Sequence, residues 1–212
     1  MMVAIDDASI NGYMADPINY KIDPEQPFVY SSIGVARLTF TINLADGTSE
    51  TKLVDASLTG GTTYIDLSAI GKEVKSIDVR GVTFKAVGCH RYILYYLNAL
   101  GGYDSLLIEG NTLEKDSLTR HIAHKNKGKQ NHATEIVKDF TFYTGWMTDE
   151  ESARMHNLLN STEVYLFDKA TWLFTPVILT NTETEYKTYK GNGGQMVNYE
   201  ITAEVAETRI RK

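Results

Sequence analysis

Alternation of apolar and polar side chains recurs along this chain, and that period-two pattern predicts strands. Arg37 to Leu44 sets Leu38, Phe40, Ile42 and Leu44 on one face. Asp46-Gly47 follows, a dipeptide suited to a tight hairpin turn, so Ser49 to Ala56 is expected to pair back. Gly60-Gly61 ends that unit. Residues 63–67, 76–87 and 91–97 read as further strands, built from the aromatic and β-branched residues that fit a pleated surface. Short strands separated by turn signals predict a β-sandwich or barrel for the first half.

The second half adds one helix. Residues 134–144 read as a long strand. Thr148 then stands three residues before Glu151, the spacing of a capping box. Asp149 and Glu150 suit the positive end of a helix dipole. Met155, Leu158 and Leu159 form a narrow apolar stripe at helical spacing, and the helix is expected to stop near Asn160-Ser161. Residues 164–167, 172–180 and 196–205 read as strands, with a turn at 168–171 and Gly-Asn-Gly-Gly at 191–194. One helix must therefore cover an open face of a mostly antiparallel sheet.

Composition narrows the class. The chain has 212 residues, 42% of them hydrophobic and 23% charged, an ordinary globular balance that excludes fibrous and disordered classes. It carries 13 Tyr and 7 Phe. The formal net charge of −6 argues against a dedicated duplex-binding protein, which needs a broad cationic footprint. A single cysteine, Cys89, excludes an internal disulfide framework. No apolar run approaches the ~18–20 residues of a membrane span, and the acidic start MMVAIDDASINGYMADP does not fit a signal peptide.

Charge is not spread evenly. Residues 111–134 hold five cations, Lys115, Arg120, Lys125, Lys127 and Lys129, against Glu114 and Asp116, whereas the blocks on either side are both net acidic. A structureless loop of this length is unusual in a compact domain, so the segment is expected to form a hairpin arm with a mobile tip. Three readings stand for it: a solvated loop, an arm docking on an acidic face of a neighbouring copy, or a nucleic-acid contact, the last weakened by the lack of interleaved aromatics for base stacking.

Candidate chemistry is sparse. His121, His124 and His132 share the basic segment, but structural zinc sites usually add cysteines and Cys89 is remote in sequence. Cys89 and His90, adjacent on a strand, would point to opposite faces and could not act as nucleophile and base. No nucleophile-elbow, zincin or P-loop pattern occurs. Gly-Asn-Gly-Gly lacks the lysine and following helix of a phosphate cradle. Pairs of carboxylates could serve glycoside hydrolysis, but any acidic β protein offers them. Trp146 and Trp172 are read as core or interface anchors, with carbohydrate stacking as the alternative. No enzyme activity, metal or cofactor is expected.

Residues 91–110, with an aromatic strand, Asn98, Gly101-Gly102, Tyr103-Asp104 and Gly110, resemble a segment of structural proteins of tailed phages and prophages of Bacteroidetes, including crAss-like phages. Residues 144–151, 158–166, 175–181 and 199–210 resemble the same group, so the likeness covers roughly 89–212. The order of elements is similar to the tail-hub, tail-tube and distal-tail fold. The resemblance implies a mainly β fold with one flanking helix. Residues 1–88 would form an N-terminal arm and β-sandwich-like region. Residues 89–212 would form a small tail-hub-type β-barrel with a helix over 148–160 and the basic arm over 111–134. It further implies a virion ring subunit, made in the bacterial host cytoplasm, with no catalysis. Its partners would be identical subunits and other tail or neck proteins, and DNA would at most pass through the lumen. Lys115, Arg120, Lys125, Lys127 and Lys129 would form the inter-subunit arm. Tyr95, Tyr96, Tyr103, Trp146 and Trp172 would be interface or packing anchors, several of the tyrosines being exposed. Another neck or adaptor component, or a carbohydrate-binding β-sandwich module of a host-attachment apparatus, is the alternative.

Overall fold

A computed structural model describes residues 20–56, 59–88, 90–125, 128–147, 149–181, 197–207 and 209–211. The N-terminal residues 1–19, Cys89, Lys127 at the tip of the basic segment, the expected cap Thr148 and the Gly-Asn-Gly-Gly stretch lie outside the described residues.

The first unit holds β1 (Tyr20–Ile22), β2 (Pro27–Ser32), β3 (Arg37–Leu44), β4 (Ser49–Asp55), β5 (Gly61–Asp66), a 3-10 turn (Ser68–Ile70), β6 (Val74–Val79) and β7 (Val82–Ala86). A five-stranded sheet runs β1-β7-β6-β3-β4, and β2 pairs with β5 as a separate ribbon. All pairs are antiparallel except β1 with β7. The apolar positions of β3 face the ribbon. Phe28 of β2 meets Phe84 edge-on at 4.8 Å, and Tyr30 meets Phe40 at 5.7 Å, the arrangement ring quadrupoles favour. The result is a small sandwich. Residues 76–87 do not form one strand as expected. Arg80 and Gly81 both take positive φ, 48° and 84°, and make a two-residue turn whose twist suits a hairpin.

The second unit holds β8 (Tyr92–Leu97), β9 (Tyr103–Leu107), β10 (Thr112–Lys125), β11 (Gly128–Met147), α1 (Asp149–Leu159), β12 (Val164–Asp168), β13 (Leu173–Leu179), β14 (Val197–Val205) and β15 (Arg209–Arg211). Seven strands run β10-β11-β14-β13-β12-β8-β9, and β15 adds to β11. Helix α1, too short to persist alone in water, lays Met155 and Leu158 on one face of this sheet, among Leu94, Tyr96 and Phe142. Each such burial stabilises by about 1.5–3 kcal/mol.

The opposite face of β8, β9 and β12 is covered by the first unit. Ile93, Tyr95, Leu107 and Phe167 pack with Val29 and Val87. Strand β8 is therefore buried on both sides, which is why Tyr92 to Tyr96 shows no alternation. Asp23, almost wholly buried, ties the units together. Its carboxylate accepts from Glu25 N and Gln26 Nε2, both at 2.9 Å, and from His90 N.

The sheet curls strongly. Tyr92 on β8 lies 6.0 Å from Phe140 on β11, although β14, β13 and β12 separate those strands in the sheet order. Residues 108–111 carry the chain across this gap. Ile108 N donates to Tyr92 O, and Gly110 N donates to Tyr143 O at 3.0 Å. The barrel expected over 89–212 is nonetheless not closed. Strands β9 and β10 are the two ends of the sheet and share no ladder, because a corner, not a strand, spans the gap. No helix of the described residues is long and apolar enough to cross a membrane.

Candidate functional site

The basic segment forms the hairpin of β10 and β11, paired from Thr112↔Phe142 to Lys125↔Gly128 with a register shift between His121 and Ile122. Strand β14 supports β11 only from Asp139 to Met147, and β15 only at Thr134–Ile136. Among the described residues, 121–125 and 128–133 pair solely with one another. Five residues from His121 to Lys125 thus carry the arm about 16 Å beyond its last supported position.

Alternation sorts the arm's side chains by face. Leu118, Arg120, Ile122 and His124 share one face, and Lys129 stands opposite His124. Leu118 and Ile122 are exposed. Lys115, Arg120 and Lys129 are exposed and make no ion pair with any described residue. Lys115 sits near the base of the arm on its other face, and Lys125 ends β10. His121 Nε2 lies 3.6 Å from Glu135. No three metal-ligating side chains converge among the described residues.

The sheet face that carries Lys115 continues across β11, β14 and β13, where the first unit reaches Phe174 through Tyr64 at 6.4 Å while Ile178 and Glu200 stay exposed. Register places Lys115 opposite Asp139, Asp139 opposite Glu204, and Glu204 opposite Ile178. Glu200 stands opposite Tyr143, and Glu135 is further along β11 on the same face. Phe174, Pro176 and Ile178 line β13 on this side, with Phe174 41% and Ile178 52% exposed. Asp139 accepts from the Ser117 hydroxyl. Glu200 and Glu204 side chains have no cation partner among the described residues. Two carboxylates directly opposite each other repel, so the isolated chain holds an acid-rich, partly apolar surface at some cost.

The helix-side face holds a cavity of about 580 Å³ between the sheet ends, with Phe140, Ile136 and Leu166 in its floor. Four charged groups at this cavity, Glu114, Lys138, Arg91 and Asp168, form one network. Glu114 accepts from the Tyr92 hydroxyl and lies 2.8 Å from Lys138 Nζ and 3.3 Å from Arg91; Arg91 also meets Asp168 at 3.3 Å. The Lys138 and Tyr92 hydrogen bonds hold the Glu114 carboxyl below its usual range. Burial, then the bond to Glu114, pushes the Tyr92 phenol far up, and the bond to Asp168 raises Arg91. This network joins β8 to β10 and β11 and presents no activated nucleophile.

The aromatic residues fall into two groups. Tyr95 and Tyr96 are 3% and 1% exposed. Tyr95 donates to Pro27 O at 2.7 Å, and Tyr96 packs in the cluster under α1. Neither is a surface anchor; β8 is covered on both faces, which puts both in cores. Tyr103 is half-buried, its phenol donating to Glu163 and its N–H to Ser31 Oγ. Trp172, at φ 55°, packs edge-on to Phe167 at 5.2 Å and is 40% exposed. Trp146 is 65% exposed on β11. Sequence reasoning overlooked Phe174, Ile178, Glu200 and Glu204. For Phe174 and Ile178 a signal existed: residues 173–179 are apolar in both registers, the pattern of a strand covered on both faces, yet both side chains are exposed.

Comparison with protein-family models, curated proteins and solved structures gave no match.

Proposed function

We propose that this chain is a non-catalytic structural subunit that assembles with copies of itself into a ring, as a tail-hub or distal-tail-like component of a tailed phage. DNA would pass through its lumen without specific binding. The observation that carries the reading is the unsupported arm: a two-stranded ribbon is marginal alone in water, and this one extends past its sheet with exposed Leu118 and Ile122 and with Arg120 and Lys129 in no ion pair among the described residues. Such an element gains order from a neighbour. The open sheet end β10 adds an edge that a further chain can cover. The resemblance over 89–212 supplies the virion setting, with a neck or adaptor position as the variant of the same reading.

Exposed Trp146 and Trp172 favour a second reading, a carbohydrate-binding module that stacks sugar rings on aromatic side chains. Negative-stain imaging and mass measurement of the purified protein separate the two. A ring subunit forms particles of one fixed copy number and is found by antibody labelling in virions. A glycan module stays monomeric and binds polysaccharide saturably, losing that binding on Trp146→Ala. A monomer absent from particles overturns the ring reading.

A further inference from the structure

Resting on the ring reading, we infer that the partner of the arm is the acidic outer sheet face of a second copy. The face of one arm that bears Leu118, Arg120, Ile122 and Lys129 seats on Ile178, Glu200 and Glu204 of the next chain.

Three observations lead there. First, the two surfaces carry complementary chemistry. The arm strip alternates apolar and cationic groups (Leu118, Arg120, Ile122), while the outer face offers an apolar row on β13 beside an acidic row on β14. Second, both surfaces are unsatisfied. Among the described residues Arg120 and Lys129 have no ion pair and Glu200 and Glu204 have none, and Asp139 and Glu204 face each other across the ladder. A cation brought from outside relieves that repulsion. Third, the strip of an arm cannot seat on the outer face of its own chain. Leu118 and Arg120 share the side of the sheet that carries Phe140 and Phe142 under α1, whereas Glu200 and Glu204 point to the other side. A flat extension of a sheet does not fold back onto its own reverse face. The contact is therefore head-to-tail: each copy gives an arm on one side and receives one on the other, which closes into a ring when the rotation permits.

Charge reversal tests this. The arm variant Arg120→Glu/Lys129→Glu and the face variant Glu200→Lys/Glu204→Lys each place like charges in the contact. Each is expected to lower the assembled fraction at least about tenfold by analytical ultracentrifugation, since like-charge juxtaposition is strongly penalised. All four side chains lie at exposed or strand-surface positions, and unchanged far-ultraviolet circular dichroism checks folding. An equimolar mixture of the two variants, and the fourfold variant alone, are expected to recover assembly, because acidic arms then meet basic faces. Single variants that assemble like the wild type, or folded variants whose mixture stays monomeric, overturn the seat while leaving the ring reading standing. Particles that dissolve under nuclease show an arm holding nucleic acid and also overturn the seat. A wild-type chain that remains monomeric overturns both.

Discussion

Glu114 shows how much one side chain can hold. It sits where the curled sheet brings β8 against β10 and takes hydrogen bonds from Lys138 and Tyr92 while Arg91 lies close by. Those contacts favour the ionised form, so the folded pKa lies below the ordinary glutamate value. A depressed folded pKa contributes stability that is complete above the unfolded range, near about pH 4.3, and is lost as pH falls through the folded value. Glu114→Gln is therefore expected to unfold at lower urea than the wild type at neutral pH. The gap between their midpoints should narrow below about pH 4. Midpoints that differ equally at pH 7 and pH 3 would mean the ion contacts contribute nothing. Of the partners of Glu114, Lys138 is a diagonal neighbour across the β10–β11 ladder, whereas Tyr92 and Arg91 meet it only through the curl and so were not legible in the sequence. Tyrosine burial was equally hidden: a phenol ring suits either a core or a surface, and only the covering of β8 on both faces sends Tyr95 and Tyr96 inward.

At the scale of elements, what could be read followed the number of covered faces. Strand β3 has one buried face, so its alternation announced it. Helix α1 declared itself through Met155 and Leu158, which do reach the core. Strands β2 and β8 are covered on both sides, so β2 passed unnoticed and β8 could be placed but not its two-sided burial. The Arg80–Gly81 turn was missed because an arginine at positive φ carries no signal of its own. The corner at 108–111 depends on one residue for a reason that geometry supplies. A Cβ on Gly110 would stand 2.4 Å from Tyr143 O, against the backbone with which Gly110 N is bonded. Gly110→Ala is expected to cost about 1–3 kcal/mol in chemical denaturation, the range for overpacking. Gly88→Ala, where a Cβ meets nothing within 4 Å, should be near neutral. Equal effects at the two positions would remove the corner from the account.

For the whole molecule, the mainly β class with a single helix was legible, and so was the likeness of the first half to a sandwich. Closure of the second half was not, since whether the last strand meets the first depends on curvature that no local pattern encodes. The candidate contact surface was half legible: the cations of the arm stand out as a charge excursion, whereas Glu200 and Glu204 become an acidic row only when β14 is laid beside β11. The wall that β8 forms between two cores has one more consequence. Ile93 and Tyr95 serve one side of it and Leu94 and Tyr96 the other, so neither half can melt without stripping a strand of the remaining half. Scanning calorimetry should record one heat-absorption peak with matching van't Hoff and calorimetric enthalpies, and protease nicking between the halves should liberate no folded fragment.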